Sequence, residues 1–397
     1  MKYVGIDLHK KTISVCVVIL EQGKRKVAAR QRFACRDEAG IAAWFRELGK
    51  FEAVVEATSS YEWFVQLVEP LAHRVLLAHP KKMRVIAESK RKTDKLDAQV
   101  LAEFLAYDEI PLAWRPSPRV RDHRTLVRYR HFLQRRITGA KNKLRHLLAR
   151  YNADVPHLFT PEGQQHLATV KLSGVDRFVA DELASEIRRH EKRKAKTSRE
   201  LRRFATKAPL AEREGRAVLD SIPNVGPVTA DIVLAELGDW RRFRSQADVA
   251  AYAGLAPGFR ISDGKSKQLG ITKEGSRLLR WALVELAWRM VRTSRKWGRH
   301  FTRLEVRVGA KKAIVAIARR LMGVIFALLQ SGQKYALALE ATPPPASCRS
   351  KSPRDTNPSE RARLRGQPRQ ARSLGAGVNY GGPLSVPGSG EAAGPAQ

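Results

Sequence analysis

The chain has 397 residues, enough for two or three domains with cores of their own, and carries 74 Lys and Arg against 39 Asp and Glu, a formal charge of +35. Such an excess repels itself unless a polyanion shares the surface, so phosphate backbones are the expected partner, ahead of a membrane surface. No run approaches the ~18 apolar residues of a spanning helix and no signal-peptide core leads the chain, while three scattered cysteines, Cys16, Cys35 and Cys348, argue against a zinc finger or disulfide framework and fit a reducing cytoplasm.

The first hundred residues alternate between strand and helix patterns. Lys2–Asp7, Thr12–Leu20 and Lys26–Phe33 read as a three-stranded meander. Helix Glu38–Leu48, strand Phe51–Glu56, helix Ser60–Glu69 and strand Arg74–Ala78 follow. Hairpin-linked strands followed by alternating helices and strands are the order of a ribonuclease-H-like α/β fold, expected over residues 1–115. From 116 to 215 the pattern is helical. Tyr129, Leu133, Ile137, Ala140, Leu144, Leu147 and Tyr151 recur at three- and four-residue steps, as do Val179, Leu183, Ile187, Leu201 and Phe204. This spacing predicts an antiparallel or dimerising coiled coil, and the basic run Arg188–Lys196 suits nucleic-acid contact on its outer face. Residues 216–338 form a mainly helical third segment, interrupted by a Gly/Ser/Lys loop at Gly254–Gly270 and resuming with an amphipathic helix at Arg277–Arg292. The Pro/Gly/Ser/Arg-rich stretch 339–397 cannot bury enough apolar surface to order itself and is expected to be disordered. Beyond Glu340 it holds eight basic residues and three acids, so most of the positive charge belongs to the folded body.

Four carboxylates in the first segment are candidate metal ligands. Asp7 ends the first strand, in Gly5-Ile-Asp7, and Glu56 ends the apolar run Ala53-Val-Val-Glu56. Adjacent parallel strand ends would bring the two together. Asp94 and Asp97, in Lys92-Thr-Asp-Lys-Leu-Asp-Ala98, share one face at helical i, i+3 spacing. Crowded carboxylates need divalent cations to offset their repulsion, and Mg²⁺ (or Mn²⁺) suits such a set beside phosphate oxygens. Taken singly, each acid is as well explained by a solvated strand end or helix face.

Leu219–Ala230 has the form of a helix-hairpin-helix turn, where Val225 and Gly226 would offer backbone N–H groups to a DNA phosphate. An ordinary interhelical turn is the plainer alternative. In the loop that follows, Ser262 and Ser266 are both candidate nucleophiles, with Lys265, Lys267 and Lys273 as candidate DNA contacts. No triad or Walker spacing accompanies them.

Together these motifs resemble the DEDD transposases of the insertion-sequence family IS one-ten, over roughly residues 2–335. The resemblance lies in Gly5-Ile-Asp7, Val55-Glu-Ala-Thr58 with Tyr61, and Lys92–Ala98. It continues in Ile222–Pro227, Gly254–Pro257, Ser262-Asp-Gly264 and Gly270–Gly275, followed by Leu279-Arg280. It implies a RuvC-like N-terminal domain whose metal tetrad is Asp7, Glu56, Asp94 and Asp97. It implies Ser262 as the nucleophile joined covalently to DNA, a guide RNA encoded by the element, and a homo-oligomer whose active sites combine domains of different subunits. Two departures stand out: Ser59-Ser60 precedes Tyr61 where the family usually has Gly, and Asp263 separates Ser262 from Gly264.

The leading expectation is therefore a cytoplasmic, nucleoid-associated DNA recombinase with no membrane partner. A RuvC-like junction nuclease without a covalent step is the nearest rival. An actin-like ATPase or sugar kinase would share Gly-Ile-Asp but needs further Gly-rich nucleotide turns. A non-enzymatic nucleic-acid binder would leave the four acids idle.

Overall fold

The computed structural model describes residues 1–58, 60–83, 98–262 and 265–335. Asp94, Asp97 and the stretch expected to be disordered lie outside these residues.

The N-terminal part is a five-stranded mixed sheet in the order β3-β2-β1-β4-β5. Strands β1 (Lys2–Leu8), β2 (Thr12–Glu21) and β3 (Lys24–Ala34) form an antiparallel meander. Gln22 and Gly23 between β2 and β3 both have positive φ, 52° and 77°, as a twisted two-residue hairpin connection requires. Strand β4 (Phe51–Glu56) runs parallel to β1, and β5 (Arg74–Ala78) parallel to β4.

Helices cover both faces, so the inner strands are apolar on both sides. Helices α1 (Glu38–Glu47) and α2 (Tyr61–Val68) pack Ile41, Phe45, Phe64, Val65 and Val68 against Val4, Ile6, Val15, Ala53 and Val55. Helix α3 (Ala98–Ala106) takes the other face, where Leu101 and Leu105 meet Val54 and Ala78, and Ala98 and Ala102 meet Cys16 and Val18. The approach is closest at Gly5: a Cβ there would lie 1.9 Å from the Ala98 carbonyl oxygen and 2.5 Å from the Ala102 nitrogen. Only glycine lets the backbone of α3 rest on β1.

Helix α4 (Pro118–Ala149), capped by Ser117, leads away from the sheet and is met by α6 (Gly174–Thr206). Arg119 pairs with the Phe204 carbonyl, Arg130 with Ser198, Lys194 with Gln134 and Arg150 with Asp176, so the two helices are antiparallel. Leu133, Ile137, Ala140, Leu144 and Leu147 are buried as their spacing predicts. Tyr129 is not in the seam: it is 44% exposed and stacks on exposed Phe132, while Val127 is buried instead against Leu201 and Ile232. On α6, Val179 is likewise exposed and Ala180 is buried in its place, whereas Leu183, Ile187 and Leu201 face inward as their spacing predicts. A short helix α5 (Pro161–Thr169), capped by Thr160, closes the open end of the pair with Leu158 and Leu167.

The C-terminal part comprises α7 (Leu210–Asp220), α8 (Pro227–Leu237), α9 (Gln246–Tyr252), the hairpin β6 (Pro257–Ser262) and β7 (Lys265–Ile271), then α10 (Arg277–Thr293), α11 (Arg295–Val308) and α12 (Ala310–Ser331). The loop expected at Gly254–Gly270 is thus largely a β-hairpin. Ile261, Leu269 and Ile271 supply strand propensity, and Ser262 pairs with Lys265 at the end of the ladder. Helix α12 is the one described helix long and apolar enough to cross a membrane; Arg319 and Arg320 interrupt its apolar run in the sequence. Its Ile314, Ile317, Leu321, Met322, Ile325 and Phe326 are buried in the C-terminal core against Leu219, Val233, Leu283 and Leu286.

Gly5→Ala is expected to destabilise the protein by about 1–3 kcal/mol, since neither backbone can yield to the added methyl. Gly139→Ala, at an exposed position in α4 with nothing within 4 Å of the new atom, should instead stabilise by about 0.5–1 kcal/mol. Urea denaturation midpoints of the two variants check both signs.

Candidate active site and nucleic-acid interface

The acidic edge follows from strand register. Ile6 and Val55 are the last paired residues of the parallel β1–β4 ladder, so Asp7 and Glu56 succeed them on neighbouring strands about 4.8 Å apart. Pleat alternation puts Asp7 on the same face as Gly5, and Glu56 on the same face as Val54. Both belong to the face that α3 covers. The helix starts at Ala98, directly above Gly5, so the residue after Asp97 is held two positions from Asp7. Of the four expected ligands, the structure brings Asp7 and Glu56 together. Asp94 and Asp97 lie outside the described residues, and no group of three metal-ligating side chains occurs among those described. His9, two residues beyond Asp7, places Nε2 3.0 Å from the Asp7 carboxylate. Its i, i+2 spacing at a strand end was the available sequence signal, and sequence reasoning passed over it.

The donor set fits a hard divalent cation. Asp7 and Glu56 are oxygen ligands on rigid strands. Thr58, two residues past Glu56, holds a buried hydroxyl with no hydrogen-bond partner among the described residues. Nearby, Arg115 binds Glu62 and Glu69, each at 2.8 Å, and Arg121 binds Glu62 at 2.9 Å. Burial raises the Glu62 pKa, but the two arginines outweigh it and hold the carboxyl below its ordinary value. The Tyr61 phenol is pushed up by burial and by Glu62.

The serine hairpin stands on a base that admits few side chains. A Cβ on Gly254 (φ 67°) would lie 2.2 Å from the Glu274 carbonyl oxygen, and one on Gly275 (φ 95°) 2.0 Å from that of Tyr252. Backbone bonds from Thr272 to Ala256 and from Lys273 to Gly254 close the base, and Arg280 donates to the Ala253 carbonyl at 3.1 Å. These contacts account physically for Gly254, Gly275 and Arg280 in the motifs. Ser262 ends β6 and pairs with Lys265 at the far end of the hairpin. Lys273 is exposed at the base with φ 56°.

Between α7 and α8 the chain turns at Ser221–Gly226. Asn224 takes φ 63° and its amide reaches the Thr293 hydroxyl on α10 at 2.8 Å. The Val225 amide donates to the Ile222 carbonyl and its side chain is buried, so Val225 shapes the turn. Gly226 caps α8, and a Cβ there would meet open space.

Two sets of contacts relate the acidic edge to the hairpin. Arg124 donates to the carbonyls of Ala235 and Glu236 and to the Tyr252 hydroxyl, at 2.8–2.9 Å. Arg128 forks onto Glu236, both bonds 2.9 Å, and that carboxylate is 1% exposed. The Glu236 hydrogen bonds raise the Arg128 pKa against the effect of burial. Directly across the halves, Lys81 beyond β5 meets Glu274 at 2.8 Å, and this bond lowers the Glu274 pKa. Since β1, β4 and β5 run in parallel, Glu274 meets the chain leaving the edge that carries Asp7 and Glu56.

Comparison with known proteins places both halves. Residues 4–153 match the DEDD transposase family of IS110 type, and residues 216–303 match the transposase IS116/IS110/IS902 family. The chain belongs to this family of transposases. It is 27% identical to the transposase for insertion sequence element IS1328 of Yersinia enterocolitica, over 72% of this chain and 82% of the relative. It is 25% identical to the transposase for IS1111A of Coxiella burnetii, over 84% and 91% of the two chains. The pilin gene-inverting protein of Moraxella bovis is 24% identical over 84% and 97%. The protein is therefore an enzyme, an insertion-sequence transposase acting on DNA, and membership of the DEDD family implies dependence on a divalent metal. The matched spans contain Asp7, Glu56, the Asn224 turn and the whole serine hairpin.

Arg128→Ala would leave the buried Glu236 carboxylate without its fork and is expected to destabilise this transposase by about 3 kcal/mol. Adding Glu236→Gln should recover part of that loss. Chemical denaturation of the single and double variants measures both.

Proposed function

We propose that this transposase is an RNA-guided DNA recombinase that cuts and rejoins strands through a covalent phosphoserine at Ser262. Its N-terminal part would be ribonuclease-H-like in the RuvC manner; the sheet order and the parallel β1–β4–β5 set support that reading. The observation that carries the proposal is the pairing of Asp7 with Glu56 on adjacent strand ends, beneath the helix whose chain arrives from Asp94 and Asp97. These four would hold Mg²⁺ or Mn²⁺, which when bound supplies charge neutralisation at phosphorus and a lowered pKa for a coordinated hydroxyl.

The remaining work falls to side chains and backbone of this chain. Asp7 and Glu56 orient the scissile phosphate's surroundings from rigid strands, with His9 positioning Asp7. The Ser262 hydroxyl attacks phosphorus, forming a Ser–O–P bond as the bridging P–O bond to the departing strand breaks. Overall, the serine proton passes to the departing strand's hydroxyl. One phosphate ester replaces another, so rejoining needs no external energy source. Lys265, Lys267 and Lys273 would offset phosphate charge along the hairpin. Gly226 and the first turn of α8 would grip a backbone phosphate without reading sequence. Relatives named for pilin gene inversion favour this chemistry, because inversion requires every cut end to be rejoined. Assembly as a dimer or tetramer, a guide RNA from the element and a place with the nucleoid in the cytoplasm complete the proposal.

The test is recovery of SDS-resistant protein–DNA adducts from cells carrying the whole element. Wild type should yield adducts, Ser266→Ala should retain them, and Ser262→Ala should abolish them. Asp7→Asn should lower their yield at least 100-fold, a loss on the scale of ~3 kcal/mol of transition-state stabilisation. DNA cleavage without any adduct in the wild type would favour the junction nuclease instead.

A further inference from the structure

Helices α11 and α12 meet in an open cleft that the proposed chemistry does not use. Lining it are His300, Arg303 and Arg307 of α11 and Arg320 of α12, with Thr302, Leu304 and Val306. No carboxylate lines it. Glu305 is the only acid on α11, and α12 has none, whereas the two helices together hold Arg295, Lys296, Arg299, Arg303, Arg307, Lys311, Lys312, Arg319 and Arg320. At three other helix contacts arginines are matched by acids, at Arg119–Glu212, Arg128–Glu236 and Arg136–Glu186. Arg320 Nη1 donates to His300 Nδ1 at 3.3 Å, which leaves the guanidinium charge without an acid to offset it. Arg299, Arg303 and Arg307 follow one another at four-residue intervals, about 6 Å apart along the helix. All three are exposed.

We infer that this cleft is a docking site for the phosphodiester backbone of duplex DNA, with His300, Arg303, Arg307 and Arg320 in contact with phosphates. The choice of occupant rests on the reading of the protein as a DNA recombinase. The charge argument points to a polyanion, since only a bound anion relieves the repulsion among these cations. Partial burial, then Arg320, Arg303, Lys296 and Arg299, hold the His300 pKa below the ordinary imidazole value. A phosphate in the cleft would reverse that depression, and binding would draw a proton onto His300. Arg307 and Arg320 lie beyond the end of the matched span at residue 303.

The experiment measures affinity of the full-length protein for a fluorescent duplex across a range of salt concentrations. Arg303→Gln/Arg307→Gln/Arg320→Gln is compared with a control that removes equal charge from another surface, Lys24→Gln/Arg46→Gln/Lys50→Gln. The cleft variant should bind at least tenfold more weakly, and its log–log salt slope should fall by about 3, one per lost phosphate contact. The control should keep the wild-type slope to within about 1. Should the triple variant fail to fold, Arg307→Gln alone, at an exposed position, should lower the slope by about 1. In parallel, the His300 pKa followed by NMR should rise when duplex is added and stay unchanged with an equal concentration of inorganic phosphate. Equal losses in cleft and control variants, or an unmoved His300, would overturn the inference. So would a cleft variant that loses affinity only for an RNA duplex. Salt-dependent duplex binding without covalent adducts would defeat the recombinase reading and leave the cleft standing. Normal adducts with an unchanged slope would do the reverse.

Discussion

The structure depends on the seating of α4 against the C-terminal end of α8. The last carbonyls of a helix have no partner within it and carry the negative end of its dipole. Arg124 meets two of them, at Ala235 and Glu236, with the planar fork that lysine cannot present. The same guanidinium touches the Tyr252 hydroxyl, which itself donates to the Glu236 carbonyl. Tyr252 in turn underlies Gly275 at the base of the hairpin. At its other contact, α4 is joined to the sheet because Arg115 and Arg121, on either side of its start, both bind Glu62 of α2. One helix therefore transmits position from the carboxylate edge to the serine strand. Trp114 adds to this joint by stacking beneath Arg242 at 4.0 Å and Arg124 at 5.2 Å.

The charge of the protein divides into two populations. One is structural: Arg115, Arg119, Arg128 and Arg216 are each matched to a carboxylate, and His123, almost fully buried, lies between Asp231 at 3.4 Å and Glu212 at 4.0 Å. Such pairs fix helix against helix and cancel at a distance. The other population is unmatched and exposed, on the outer face of α6 from Arg188 to Arg199 and on α11 and α12. A net charge alone does not separate the two, and the separation matters because only the second can release counterions from DNA.

Much of the N-terminal fold was legible because its strands are short β-rich apolar runs and its connections carry turn residues. The adjacency of Asp7 and Glu56 followed from that pattern, and the register agrees. The role of Gly5 was legible only as a motif, since its reason is a helix nearly a hundred residues later. Helix α5 was passed over although Thr160-Pro161-Glu162 is a strong start signal, because only Gly163 and Leu167 on it are buried and no apolar stripe develops. The hairpin around Ser262 was read as a loop because glycines and lysines masked its alternation. Tyr129 fits the heptad spacing and yet faces outward; the seam on that stretch is set by α8 docking against Val127, which spacing along α4 cannot encode. The burial of Glu236 was hidden for the same reason, its partner Arg128 lying 108 residues upstream.

The position of α12 has a consequence for biosynthesis. The N-terminal sheet, its covering helices and their cores are complete by residue 113, so this part can form while the rest of the chain is still being made. The C-terminal core cannot. Its centre is filled by Ile314, Ile317, Leu321, Ile325 and Phe326, which pack on residues translated up to a hundred positions earlier. Until α12 is synthesised, the turn at Asn224 and the base of the serine hairpin rest on an open apolar groove. A nascent or truncated chain would thus present a finished N-terminal sheet beside an unfinished C-terminal core, and the base of the hairpin would gain its full support only with the last described helix.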